Sequence, residues 1–294
     1  MAVETFTHPD DARALEAGLD ALDTPTAQGA PRWRRVSRAV IPPLVATALL
    51  IAVWQLVFLS GIKPSYLLPS PAMVWDTLVK AFQDGSAWAA ISNSLQRAAI
   101  GFVASVVIGT LLGLFMATIP LVRLGIGPIV SGLQSLPSVA WVPAAIIWFG
   151  LSDATIYAVV LLGAVPSIAN GLLAGVDQVP PLYLRVGRVL GARGFSSIRH
   201  VLLPAAFPGY LAGLKQGWAF AWRSLMAAEL ITYSPQLGSG LGQLLNIGRE
   251  VSDMSLVMAS IILILFVGIA IELLFFGPLE RRVLRSRGLT GRTG

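Results

Sequence analysis

Six long apolar segments, separated by shorter polar stretches, dominate the hydrophobic pattern of this chain. Their apolar residues form runs, without the period of 3.6 or 2 that marks a half-buried helix or strand. At a rise of about 1.5 Å per residue, each segment can cross a hydrocarbon core about 30 Å thick. Because backbone polar groups in lipid must bond within their own segment, we expect six membrane-spanning helices. They occupy residues 40–60, 95–118, 128–149, 156–176, 207–231 and 256–277.

The third segment contains features that a plain spanning helix lacks. Pro137 and Pro143 would kink a helix over residues 128–149, and Gln134 is polar. One interpretation is a kinked helix buried among its neighbours. The other is a gate, in which Gln134 and Ser135 line a translocation pathway.

Composition supports a single membrane domain. Of 294 residues, 55% are hydrophobic and 12% are charged, about half the charge of a typical soluble domain. We expect an all-α integral membrane protein with a domain over residues 40–278, between cytosolic tails 1–39 and 279–294. Cysteine is absent and there are two histidines, which excludes disulfides and thiolate metal sites and leaves no residue pattern for a resident cofactor.

The distribution of cations predicts the orientation of the spans. Arginines concentrate in segments that face one side if both termini are cytosolic, and such a bias sets topology. Those residues are Arg13, Arg32, Arg34, Arg35, Arg38, Arg123, Arg185, Arg188, Arg193, Arg199, Arg281, Arg282, Arg285, Arg287 and Arg292. The other side keeps only Lys63, Lys80, Arg249 and the border residue Arg97. Because the arginines flank apolar runs and form no stripe with stacking aromatics, the net charge of +6 does not indicate nucleic-acid binding.

The predicted outer loop 61–93 contains a short helix of its own. Ser70 is a capping residue, and Pro71 suits the first helical position. Residues 72–82 then form an amphipathic pattern. We expect this helix to lie at the membrane surface and to serve in packing.

The predicted cytosolic loop 177–204 is long enough to hold two short helices. The first covers residues 182–190 and is broken by Gly191. Pro204 is expected to stop the second helix and to hold Leu203 in an extended conformation. The loop is either a docking surface for a partner protein or a basic surface for anionic lipid.

This loop resembles the EAA loop of bacterial ABC importer permeases, whose pattern is Glu-Ala-Ala, three residues, Gly, nine residues and Ile-x-Leu-Pro. Gly191 is followed by nine residues and then by Val201, Leu202, Leu203 and Pro204. At the Glu-Ala-Ala positions the chain has Arg185, Val186 and Gly187, so the family's acid is replaced by a base. The resemblance implies an ATPase-coupling site formed by Arg185, Gly187, Gly191, Ala192, Val201, Leu203 and Pro204.

The resemblance extends over residues 40–285. Within the family, the chain is similar to the nitrate/sulfonate/taurine branch. It is carried by YLLPSP (66–71), SLQRAAIGF (94–102), SLPSVAWVP (135–143), AWRSLMAAEL (221–230), GLGQLL (240–245) and LERRVL (279–284). It implies the type I, MetI-like fold, a dimer of permeases in the bacterial inner membrane, two ATP-binding subunits and a periplasmic or lipid-anchored binding protein. The chain has no GxxxxGK[ST] motif, so ATP and Mg²⁺ would bind to the partner ATPase, and the chain itself would not be an enzyme.

The branch also implies a small anionic substrate. Aliphatic sulfonate or nitrate fits best, and taurine, bicarbonate or a thiamine-precursor pyrimidine remain alternatives. A proton- or ion-coupled secondary transporter is the competing class. It would need acids deep in several spans, where this chain has only Glu229 and Glu272.

Arg223 is the charge most in need of an explanation. It falls about 24 Å along the fifth segment, where lipid exposure of a permanent charge is costly. One interpretation is an interhelical ion pair with Asp153, Glu250 or another acid. The other is a cation that attracts an oxyanion into a pathway lined also by Ser224 and Glu229.

Overall fold

The computed structural model describes residues 32–232 and 238–286, with residues 32–40 described for their backbone only. Residues 1–31 and 287–294 of the predicted tails lie outside this range. Within it the chain is helical and has no β-strand. The longer helices are α1 (Arg32–Leu59), α2 (Pro71–Gln83), α3 (Ser86–Thr118), α4 (Pro120–Ser135), α5 (Val142–Phe149), α6 (Asp153–Asp177), α7 (Pro181–Val189), α8 (Leu203–Ile231), α9 (Leu241–Glu250), α10 (Met254–Ile271) and α11 (Gly277–Ser286).

Two compact units contain these helices. Within the described residues, the first covers 32–60, and the second covers 61–232 and 238–286. The helix of the first unit, α1, begins at Arg32, within the predicted tail. Its Ile41–Leu59 portion is apolar and long enough to span a membrane.

Four helices among the described residues are long and apolar enough to cross a membrane. Besides Ile41–Leu59 they are α3, α6 and the continuous helix Met254–Ser286. A fifth span results if the bent pair Pro120–Ser135 and Ser138–Phe149 is counted as one. At 29 residues, α8 is long enough as well. It carries Lys215, Arg223 and Glu229, and it does not have the apolar composition of the other four. The sixth span therefore stays a prediction.

The third predicted segment is broken, where a single kinked helix was expected. The axes of α4 and of Ser138–Phe149 differ by 99°. Leu136, which precedes Pro137, has the extended angles φ −83° and ψ 129°. A residue before proline is driven out of the helical region, so the chain changes direction here instead of bending gently.

Glycines allow the two central helices, α6 and α8, to approach backbone to backbone. A Cβ built on Gly171 would lie 2.3 Å from the Cα of Gly213, and one built on Gly175 would lie 2.6 Å from the carbonyl oxygen of Ala206. α3 packs on α6 at the same level, where a Cβ on Gly113 would lie 2.8 Å from the carbonyl oxygen of Ala169. These three helices form the centre of the bundle, and the remaining helices of the second unit surround it.

The loop after α6 runs into α8 without interruption. A single turn at Phe195–Ser197 and a π-helical turn at Ile198–Leu202 lead directly to Leu203, which is helical with φ −62° and ψ −46°. The expectations that Pro204 stops this helix and that Leu203 is extended are therefore wrong. The proline lies in the first turn of α8, and the wide π-helical turn before it relieves the crowding that a proline causes one turn back in an α-helix.

Candidate functional site

The break between α4 and α5 forms one side of an open cavity of about 240 Å³. α6 and α8 form the other side. Three of the residues predicted for a pathway, Gln134, Ser135 and Arg223, line this cavity, which we call the Arg223 cavity. Its remaining lining residues are Leu133, Leu136, Pro137, Ser138, Val139, Gly163 and Phe220.

The guanidinium of Arg223 is held in place by its own helix. Nε donates a hydrogen bond to the carbonyl oxygen of Ala219 at 3.1 Å. Cζ lies 4.8 Å from the centre of the Phe220 ring, a cation–π contact. Within the described residues Arg223 forms no salt bridge, and the acids proposed as its partners are engaged elsewhere: Asp153 with Arg97, and Glu250 with Asn246. Its charge is therefore available to the cavity.

Two hydrogen bonds between helices give the cavity a polar wall. The hydroxyls of Ser138 and Ser224 are 2.6 Å apart, which ties the turn after the break to α8. Asn170 Nδ2 donates to Gln134 Oε1 at 2.6 Å. Ser224 is itself buried and lies behind the cavity. A cation, hydroxyls and an amide beside apolar walls form a combination suited to a small anion.

Glu229 lies apart from this cavity, wholly buried in the bundle. Its carboxylate accepts hydrogen bonds from Arg97 Nη1 at 3.0 Å, from Ser94 Oγ at 2.7 Å and from the backbone N–H of Gly242 at 3.0 Å. Arg97 Nε also donates to Asp153 at 2.8 Å. The network joins α3, α6, α8 and α9.

Arg97 is the functional candidate that sequence reasoning missed, since we interpreted it as a border residue. A signal was available. An arginine inside an apolar run requires an acid partner. With both termini cytosolic, Asp153, before the fourth segment, and Glu229, near the end of the fifth, fall on the same side as Arg97.

The GLGQLL segment (240–245) packs directly against the side chain of Glu229. A Cβ on Gly240 would lie 2.4 Å from Glu229 Oε1, and a Cβ on Gly242 would lie 2.6 Å from Glu229 Cβ. The backbone N–H of Leu241 donates to Ser94 Oγ at 2.8 Å. The two glycines therefore let the start of α9 sit directly on the buried charge.

The loop 177–204 folds into a compact turn around Gly187. Gly187 is buried, and a Cβ there would lie 2.8 Å from Val201 Cγ2. Its carbonyl oxygen accepts a hydrogen bond from the N–H of Ala192 at 2.9 Å. Gly191 has φ +87° with open space around it, so it serves the turn by its conformation alone. Val201 is half-buried, and Arg185 and Pro204 are exposed.

A set of large apolar side chains lies on the solvent-exposed surface of this loop. All are exposed, between 48% and 87% of their area. We call this set the loop face, and its members are Leu182, Tyr183, Val186, Val189, Leu190 and Phe195. A shallow cavity of about 530 Å³ opens between α7 and the start of α8. Exposed apolar area concentrated in this way marks a contact with another molecule.

Comparison with known proteins identifies the family to which this chain belongs. Residues 105–285 match the model of a family described as the binding-protein-dependent transport system inner membrane component. The chain is 30% identical to the taurine transport system permease protein TauC of Escherichia coli over 87% of this chain and 94% of TauC. It is 31% identical to the nitrate import permease protein NrtB of Synechocystis over 79% of this chain and 84% of NrtB.

A solved structure shares the fold. An inward-facing MetNI methionine ABC transporter contains a chain that aligns with a TM-score of 0.53 at 19% identity, covering 73% of this chain and 99% of that chain. The described helices therefore have the MetI-like arrangement that the resemblance implied. This protein is a multi-pass membrane protein that belongs to the binding-protein-dependent transport system inner membrane component family, the permease subunits of ABC importers.

Proposed function

We propose that this permease forms the pathway of an ATP-driven importer of a small oxyanion, with aliphatic sulfonate or nitrate as the best candidates. The observation that carries the proposal is the Arg223 cavity, in which a guanidinium without a carboxylate partner among the described residues lies beside a polar wall. One relative is named for transport of taurine, which is a sulfonate, and another for import of nitrate. Both compounds carry oxygen atoms that a guanidinium binds.

The exposed face of α8 supports a pathway on this side of the bundle. Its exposed residues between the loop and the cavity are Ala212, Gln216, Ala219 and Arg223, all small or polar. The exposed residues of α10, in contrast, are large and apolar, among them Leu265 and Phe266. Lipid favours the second composition and disfavours the first. We infer that α8 faces water and a second copy of the permease.

The competing class, an ion-coupled transporter, would need free acids inside the spans, and the two acids predicted there are both paired with cations. Glu229 is neutralised by Arg97, and Glu272 pairs with Lys215 at 2.7 Å. A coupling acid must exchange protons or ions, and these two carboxylates are held by cations.

We assign the loop face to an ATPase partner on the cytosolic side, as the arginine distribution predicts. Two ATP-binding subunits would bind ATP with Mg²⁺ and dock on the loop faces of two permeases. A periplasmic or lipid-anchored binding protein would deliver the substrate to the opposite end. In this arrangement both termini are cytosolic. Arg185, at the position of the family's Glu, is exposed and would meet an acid of the ATPase.

The substrate assignment is tested by uptake into proteoliposomes that contain the permease with its ATPase and binding protein. Arg223→Gln should reduce uptake of sulfonate or nitrate about 10-fold, the scale of one lost charged hydrogen bond. Arg223→Lys should recover part of the loss because it keeps the charge. Arg249→Gln, a change at an exposed arginine outside the cavity, is the matched control and should leave uptake unchanged. Normal uptake by a fully assembled Arg223→Gln complex would refute the pathway role.

A further inference from the structure

Helix α2 has three faces of different chemistry. Positions three and four apart on a helix share one side, and each face of α2 repeats at that spacing. The buried face consists of Val74, Leu78 and Ala81. The aromatic face consists of Trp75, Val79 and Phe82. The polar face consists of Asp76, Lys80 and Gln83.

Burial follows these faces. Val74 is 1% exposed, and Leu78 and Ala81 pack in the hydrophobic core. Trp75, the next residue, is 66% exposed. All three residues of the polar face are exposed as well. A helix that only packs on a bundle in water has two faces, so the exposed aromatic face requires a second apolar environment.

A fixed corner after α2 adds a third ring to the aromatic face. Gly85 has φ +82°, and Asp84 accepts a hydrogen bond from the backbone N–H of Ser86 at 2.9 Å. This bond favours the charged carboxylate and lowers the pKa of Asp84. The turn brings Trp88 into edge-to-face contact with Phe82, with ring centres 5.2 Å apart.

The length of α3 places Trp88 at the level of the lipid headgroups. α3 has 33 residues, so its length is about 50 Å. The hydrocarbon core is about 30 Å thick, and the bilayer with headgroups about 40–45 Å. Trp88 lies in the first turn of α3, outside the hydrocarbon core. Tryptophan is enriched at this depth because its ring is apolar and its N–H is polar.

The two helices on which α2 packs carry exposed apolar side chains. The helix packs on α3 and α10. Val103 and Val107 of α3 are exposed, as are Ile261 and Leu265 of α10. Because α3 and α10 belong to spans of a membrane permease, exposed apolar side chains on these helices suit contact with acyl chains.

We propose that α2 is an interfacial helix that binds the phospholipid boundary through Trp75, Phe82 and Trp88. Its buried face meets the bundle, its aromatic face enters the headgroup–acyl boundary, and its polar face meets water. Lys80, at the edge of the polar face, can reach lipid phosphates. The inference depends on the membrane location of the protein and not on its substrate.

The test uses single cysteines, since the chain has none of its own. Trp75→Cys and Phe82→Cys report on the aromatic face, and the adjacent Asp76→Cys and Gln83→Cys are the matched controls. Each carries an NBD fluorophore in a nanodisc. Phospholipids with a spin label near the headgroup end of the acyl chain should quench NBD at 75 and 82 several-fold more than at 76 and 83. Aqueous iodide should give the reverse order.

Removal of a ring could itself detach the helix. Val79→Cys keeps all three rings and lies on the same face, so it should also be quenched by the lipid spin label. Equal iodide quenching at all five positions would overturn the proposal. So would resistance to lipid quenching at 75, 79 and 82 combined with a spectral change on adding the binding protein, which would make this face a protein contact.

Discussion

At the residue scale, the fully buried Glu229 shows how this bundle tolerates charge. An uncompensated carboxylate in an apolar interior is costly. Here Arg97, Ser94 and the N–H of Gly242 satisfy it, and Asp153 completes the pairing of Arg97 from a half-exposed position, 49% accessible. Glu229 therefore acts as a joint between helices, and its predicted pathway role has no support from its position.

This interpretation predicts different costs for the two acids. Glu229→Gln breaks a buried pair and should destabilise the protein by about 3–5 kcal/mol. Asp153→Asn removes a half-exposed partner and should cost about 1 kcal/mol or less. Thermal unfolding of the purified permease in nanodiscs measures both. A pathway role for Glu229 would instead show as lost uptake in a Glu229→Gln protein of unchanged stability.

At the scale of elements, local chain breaks position both candidate sites. The break at Leu136–Pro137 opens the Arg223 cavity, and the turn at Gly191 folds α7 back toward α8. In each case a proline or a glycine fixes the conformation, and a contact from a residue further along the chain completes the site. Ser224 of α8 plays that part at the cavity, and Val201 does so beneath α7.

The contact between Gly187 and Val201 gives a prediction with an internal control. Gly187→Ala should push α7 away from the π-helical turn at Ile198–Leu202, because the added Cβ would lie 2.8 Å from Val201 Cγ2. Capture of the ATPase partner during purification should then fall. Val201→Ala removes the obstructing methyl groups, so the double variant should recover capture. If Gly187→Ala alone captures ATPase normally, the packing of α7 does not govern docking.

At the scale of the whole molecule, the two ends of the second unit differ in chemistry. One end holds the network of Arg97, Asp153 and Glu229. The other end holds the loop face and a bidentate salt bridge, in which Arg123 donates to both carboxylate oxygens of Asp177 at 2.9 and 2.6 Å. α3 and α6 run between these ends, so the ends lie on opposite sides of a bilayer if the spans cross it.

The arginine distribution predicts which end is cytosolic. Ser196→Cys lies on the loop and should resist an impermeant thiol reagent in intact cells. Ser239→Cys lies just before α9 at the other end and should react. In disrupted cells both should react, which shows that each cysteine is accessible. The reverse pattern in intact cells would place both the loop and the termini outside.

The sequence by itself determined the class of the molecule and the start of the helix after Ser70. Long apolar runs dictate helices because lipid offers the backbone no partner, and the helix after Ser70 begins where predicted because its cap is local: the Ser70 hydroxyl accepts the N–H of Met73 at 3.2 Å. Tertiary structure decided which charges meet. Arg97 finds Glu229 132 positions away, and only the packing of α3, α6 and α8 brings them together. Structure also decided the outcome at Pro204, because the π-helical turn before it lets the helix continue where a proline would be expected to end it. It decided the state of Arg223 as well, because the acids proposed as its partners are bound to other residues.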